Sequence, residues 1–182
     1  MTHLLLLILP LFGTGHPSHK LVKTTVAKGI IVSLPRSLQP MSVEDMVQRF
    51  PSVRNPLAAY TDADRVVDFS INVSATQWPD SNLEMAQRFF KSGIYNLYDR
   101  VDFAGEGLKE VHKRKYIYFE FESRANGARR MEGNQDFSLK YTYIMYLIEQ
   151  NRTLVITFSC PRERREEWQE TAHRMMSSIR IR

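Results

Sequence analysis

Cysteine occurs once in this chain of 182 residues, at Cys160. A single thiol forms no internal disulfide and cannot build a Cys-rich zinc site. Long aliphatic runs are missing too. Leu4 to Leu9 holds six aliphatic residues before Pro10-Leu11-Phe12, about half of the roughly 20 that a membrane-spanning helix needs. Glycine and proline number eight each, which removes collagen-like and low-complexity readings. Neither a P-loop nor a dinucleotide fingerprint is present: Gly105-Glu106-Gly107 is too short and carries an acid where a phosphate would sit. No serine stands in a Gly-x-Ser-x-Gly elbow. No carboxylate stands in an apolar segment where burial would raise its pKa. The motifs of enzymatic chemistry are absent.

Charge of one sign is also scarce. The net charge is +5, but Lys20, Lys23 and Lys28 fall among the first 28 residues, which hold no acid. The other 154 residues carry 22 basic and 20 acidic groups, too balanced for a dedicated nucleic-acid binder. At 43% hydrophobic and 25% charged, the chain has the composition of one folded domain.

The apolar run at Leu4–Leu9 has the length of a secretory h-region, and Gly13-Thr14-Gly15 offers small residues at a cleavage site. Residues 1–15 are therefore expected to be a signal peptide, although Met1-Thr2-His3 supplies no Lys or Arg. No cysteine follows to carry a lipid. The expected location is exported, periplasmic or secreted; a cytoplasmic protein with an apolar leader is the alternative. Residues 16–28, polar and basic without periodicity, read as a linker to a single domain at 29–182.

Within the domain the periods alternate. Gly29–Leu34 reads as a first strand ended by Pro35. Ser42-Val43-Glu44-Asp45 is a capping signature, with Val43, Met46, Val47 and Phe50 on the expected buried face of a helix that Pro51 stops. Residues 57–74 hold two strands around Thr61-Asp62-Ala63-Asp64; in the second, Val67, Phe69, Ile71 and Val73 alternate with polar residues. Leu83, Ala86, Phe90, Ile94 and Leu97 recur at helical spacing, predicting an amphipathic helix over 81–98. Residues 107–113 make a short charged strand, 117–121 another, and 123–134 a polar loop. Residues 137–149 read as a central strand and 153–160 as the last strand. A final helix from near Pro161 buries Trp168, Ala172, Met175, Met176 and Ile179. The order β-α-β-β-α-β-β-β-β-α, with most strands consecutive, predicts an α+β domain with a mainly antiparallel sheet flanked by helices.

This pattern resembles the PsbP-like family, which includes DcrB-type envelope proteins and Ran-binding Mog-type proteins. The residues that carry the resemblance are Leu34-Pro35, Asp68 to Val73 followed by the Leu83–Leu97 helix, the Tyr-rich stretch 141–146, Thr153 to Phe158, and Ser177-Ser178-Ile179. The resemblance implies a curved antiparallel sheet flanked by helices. It also implies a mostly non-enzymatic protein that binds or assembles with partners, often outside the cytoplasm. It supplies no catalytic residue.

Candidate sites are few. Cys160 continues the buried phase of Leu154, Ile156 and Phe158 and reads as a core thiol. Glu170 and His173 have ligand spacing, but a di-metal site needs two such pairs, so they read as a solvated helix face. His16 and His19 are too few for a metal. Tyr118, Tyr141, Tyr143 and Tyr146 read as sheet packing against a helix rather than base stacking, because Glu120 and Glu122 would repel phosphate. Arg162, Arg164 and Arg165, interleaved with Glu163, Glu166 and Glu167, read as a solvated helix face. Arg124, Arg129 and Arg130 in the 123–134 loop are the candidate partner-binding residues, facing an acidic protein partner or an anionic lipid surface.

The expectation is a non-enzymatic exported binding or assembly protein that acts through a surface. It has a protein partner, no nucleic acid, no cofactor and no metal. The alternative is a small-ligand carrier or enzyme with a pocket between the sheet and its helices.

Overall fold

The computed structural model describes residues 19–50, 55–79, 82–126 and 137–182. The expected signal segment lies outside the described residues. Strand β1 (Leu21–Ala27) pairs with β2 (Ile30–Pro35) through a Lys28-Gly29 turn, with Gly29 at φ +76°, a conformation that favours glycine. Then follow β3 (Gln39–Pro40), α1 (Val43–Arg49), β4 (Ala58–Thr61), β5 (Asp68–Val73), α2 (Leu83–Leu97), β6 (Arg100–Val111), β7 (Arg114–Asn126), β8 (Phe137–Glu149) and β9 (Arg152–Pro161). A short 3₁₀ turn at Arg162–Arg164 leads into α3 (Arg165–Ser177), and β10 (Arg180–Ile181) follows it.

Seven strands form one sheet in the order β3-β4-β5-β9-β8-β7-β6, and β1-β2-β10 form a second. Every pairing is antiparallel. The α+β architecture with an antiparallel sheet flanked by helices is thus the one the sequence pattern implies. Alternation along the long strands divides the core in two. Phe69, Ile71, Tyr141, Tyr143, Ile156, Phe158 and Cys160 face α3 and the small sheet. Ile117, Phe119, Phe121, Tyr146 and Ile148 face α2. The large sheet is the middle of three layers. Among the described residues no helix is long and apolar enough to cross a membrane.

Several boundaries differ from the sequence reading. Residues 21–27, read as part of a linker, are strand β1: Val22, Thr24, Thr25 and Val26 suit a strand, and β1 covers the edge of β2. The charged strand begins at Arg100 rather than Gly107, and His112 and Lys113 (φ +48° and +65°) form its two-residue turn into β7. Ser123 to Asn126, read as loop, continue β7, and the rest of that loop lies outside the described residues.

Helix α1 inverts its expected face. Val43 and Val47 are 72% and 65% exposed, and Asp45 is the buried residue. Polar contacts hold this short helix instead. Ser42 Oγ caps the Asp45 amide at 3.1 Å, Arg65 pairs with Asp45, and Arg49 pairs with Asp68 at 2.5 Å.

Candidate functional site

The face of the large sheet that carries α2 holds the most unusual surface. Asn82 caps the helix, accepting from the Met85 amide at 3.3 Å. Ala86, Phe90 and Ile94, one turn apart, are buried, and Phe90 stacks on Tyr146 at 4.0 Å with the rings nearly parallel. That narrow stripe is the whole of the buried face. Met85 is 55%, Phe89 49%, Tyr95 51% and Leu97 72% exposed. Leu97, expected among the buried residues, keeps the phase of Ala86 and Phe90 but is exposed as the last residue of the helix. Trp78, just before the helix, packs against Phe89 at 5.2 Å and is itself partly buried against the α2 core. Met85 and Phe89, one turn apart, form an exposed apolar pair, the kind of surface that marks an interaction site when a partner covers it.

Beyond the C-terminal end of α2 the same sheet face is left open, as a cleft of about 840 Å³. Its floor is polar: Ser70 and Asn72 from β5, and Thr157 and Ser159 from β9. Arg49, Lys140 and Tyr98 also line it. Arg49 is fixed there by Asp68 and by the Arg65 carbonyl, and Thr61 also donates to Asp68, at 2.8 Å. Arg124 does not line this cleft: its carbonyl accepts from the Asp99 amide at 3.0 Å, its strand partners are Arg100 and Leu139, and along β7 it has the phase of Glu120 and Glu122. Arg129 and Arg130 lie outside the described residues.

On the opposite face, α3 is clasped to β7 by two carboxylates. Glu120 accepts from the Tyr141 hydroxyl at 2.9 Å and Gln169 Nε2 at 2.6 Å, and His173 Nε2 lies 2.9 Å away. Glu122 pairs with Arg162 and Arg165, each at 2.6 Å. Arg162 and Arg165 are not a free solvated face but bind the sheet, and Arg164 reaches Asp62 at 2.9 Å as well as Glu167 at 3.1 Å. His173 reaches Glu120 across the layers instead of pointing only to water. Burial alone would raise the Glu120 carboxyl, but the hydrogen bonds from His173 and Tyr141 outweigh it and hold the group down at about 2. A buried carboxylate therefore exists, and its partners keep it charged. It acts as a structural anchor between two layers.

The remaining candidates have packing roles. Cys160 is fully buried, and burial pushes its thiol up to about 12, so it is no nucleophile in the folded state. Tyr118, Tyr141 and Tyr143 line the α3 face, and Tyr146 the α2 face. His19 stacks on Trp168 at 4.1 Å and lies 3.3 Å from Glu167; His16 lies outside the described residues. Among the described residues no group of three or more His, Cys, Asp or Glu side chains could hold a metal ion.

The sequence reading missed the outward face of α2. The signal was present: Met85, Phe89 and Tyr95 fall off the Leu83–Leu97 stripe, at positions where a surface helix usually carries polar residues.

A three-layer α+β domain of this strand order has the PsbP-like fold. Solved structures that share it include cyanobacterial PsbP from Synechocystis sp. PCC 6803, at a TM-score of 0.57 and 12% identity, covering 95% of this chain and 99% of that one. The Ran-binding protein Mog1p of Saccharomyces cerevisiae aligns at 0.58 and 10% identity, covering 90% and 96%. LpqN of Mycobacterium tuberculosis, involved in cell envelope biogenesis, aligns at 0.55 and 12% identity, covering 91% and 94%. No family model and no curated protein sequence matches the chain.

Proposed function

We propose that this chain is a non-enzymatic, exported binding or assembly protein that captures a protein partner through the outward face of α2. The observation that carries the reading is the exposure of Met85, Phe89 and Tyr95, which stand off the buried stripe of α2. Burying such side chains against a partner is favourable by about 1.5–3 kcal/mol each, enough to drive association with few polar contacts. The Arg124 backbone lies near the C-terminal end of α2, and its side chain has the β7 phase of Glu120 and Glu122; in this reading the basic group Arg124, Arg129 and Arg130 steers an acidic partner to this edge of the sheet. Binding by Mog1p and the envelope role of LpqN, on the same fold, support the reading by analogy. For the alternative of a small-ligand carrier, Phe90 stacks on Tyr146 between α2 and the sheet, and an open polar cleft lies beyond the helix.

The test is crosslinking in the native host from a photoreactive residue at position 85, with position 152 on the far hairpin as control. One partner captured from 85, lost in Phe89→Glu and weakened in Arg124→Ala/Arg129→Ala/Arg130→Ala, supports the proposal. Capture that is unchanged by Phe89→Glu sinks it. Intact mass tests export: loss of residues 1–15 and recovery outside the cytoplasm are expected.

A further inference from the structure

The basic surplus of the chain is folded onto the domain, because Lys23 belongs to β1 and not to a free linker. On the small sheet Lys23 pairs with Ser33, and Arg180 with Ile31. Two adjoining clefts of about 620 and 270 Å³ open over this sheet, and both are lined by Lys23, Ile31, His112 and Arg180. The larger adds Arg174, Ser33 and Ser177; the smaller adds Arg114 and Arg182. No Asp or Glu among the described residues lines either one. Arg114 is balanced by Glu149. Lys23 and Arg180 take part in no ion pair among the described residues.

We propose that this groove binds a compact phosphate-bearing ligand, with the guanidinium and ammonium groups taking the anionic oxygens and the Ser33–Ser177 wall supplying polar neighbours. Unbalanced cations held close together on a rigid sheet repel one another, and an anion relieves that repulsion. Arginine forks fit phosphate oxygens in pairs. The C-terminal end of α3 adjoins the groove and its dipole opposes an anion. That partial charge is smaller than any one of the full charges arrayed against it. The last-turn carbonyl of Met175 is also no bare acceptor, since it takes hydrogen bonds from both Ser178 N and Ser178 Oγ. Cations gathered over one small groove favour a compact anionic group over an extended acidic peptide. Partly buried Leu21 and Ile31 in the larger cleft would tolerate the glycerol end of a lipid headgroup as well as a free phosphate ester.

The site is distinct from the α2 face, so the two proposals stand or fall separately. The test uses the whole protein with inorganic pyrophosphate in calorimetry at low salt, and with vesicles of phosphatidylglycerol or of phosphatidylcholine in flotation. Binding of pyrophosphate alone assigns a soluble phosphate ester. Flotation with phosphatidylglycerol but not phosphatidylcholine assigns a lipid headgroup. In either case Lys23→Gln/Arg180→Gln should weaken binding about tenfold or more at low ionic strength, while Arg88→Gln on α2 leaves it unchanged. Absence of both interactions in the unaltered protein overturns the proposal, as does tighter binding of polyglutamate than of pyrophosphate, or full binding retained by the double variant.

Discussion

Glu120 and His173 are 53 residues apart in sequence and meet at 2.9 Å, Oε2 to Nε2, where α3 crosses β7. The contact joins the final helix to the middle layer. The other oxygen of Glu120 takes the Tyr141 hydroxyl and the Gln169 amide, so one carboxylate ties two strands and a helix together.

Replacing Glu120 with Ala should leave the buried Tyr141 hydroxyl without its acceptor, at a cost of about 2–3 kcal/mol. Glu120→Gln keeps an acceptor and should cost less. Urea unfolding measures both as a lowered midpoint at unchanged slope; a shift too small to resolve for the Ala variant would mean that the network does not dock α3.

Acid should act through the same group. Glu120 is held at about 2 in the folded chain against an ordinary 4.5, so it is charged in the folded state where the unfolded state already binds a proton. A depressed carboxyl stabilises above its unfolded value and loses that contribution as the pH falls, here between about 4.5 and about 2. Asp62, where backbone and Arg164 hydrogen bonds overcome burial, and Glu167, beside Arg164, are lowered too and act in the same direction. Melting temperature should fall across this window, and the fall should be shallower in Glu120→Gln.

Phe89 and Phe90 are neighbours with opposite duties. Phe90→Ala empties the stack on Tyr146 and should destabilise by about 3–5 kcal/mol. Phe89→Ala removes only contacts with Trp78 and Phe90 at the surface and should cost about 1 kcal/mol or less. Thermal melts of the two variants decide this. Equal losses would show that the outward ring is part of the core and not a docking surface.

Cys160 should resist modification. With its thiol pushed up to about 12 and no exposed area, it should not react with a thiol reagent in the native state at neutral pH. It should react stoichiometrically in denaturant. Rapid native labelling would show that β9 opens locally at its end.

Hydrophobic period determined much of this protein before any contact was known. Phe69 and Ile71, then Ile156, Phe158 and Cys160, announce strands with one buried phase, and Trp168 to Met176 a helix with one buried stripe; the apolar members of each are buried as that phase requires. Local chemistry likewise set the Ser42 cap, because a cap depends only on residues three apart. Tertiary structure decided the rest. Val43 and Val47 have the spacing of a buried face, but α1 is anchored by Asp45 and Arg49 and its valines stay exposed. Leu21–Ala27 becomes a strand because β2 offers an edge, and Arg162, Arg165 and His173 are drawn to the sheet because Glu122 and Glu120 stand opposite them on β7. Periodicity tells which side of an element is apolar. Whether that side meets a partner, and which distant charge meets which, depends on contacts between residues far apart in sequence, and only the packed layers set those.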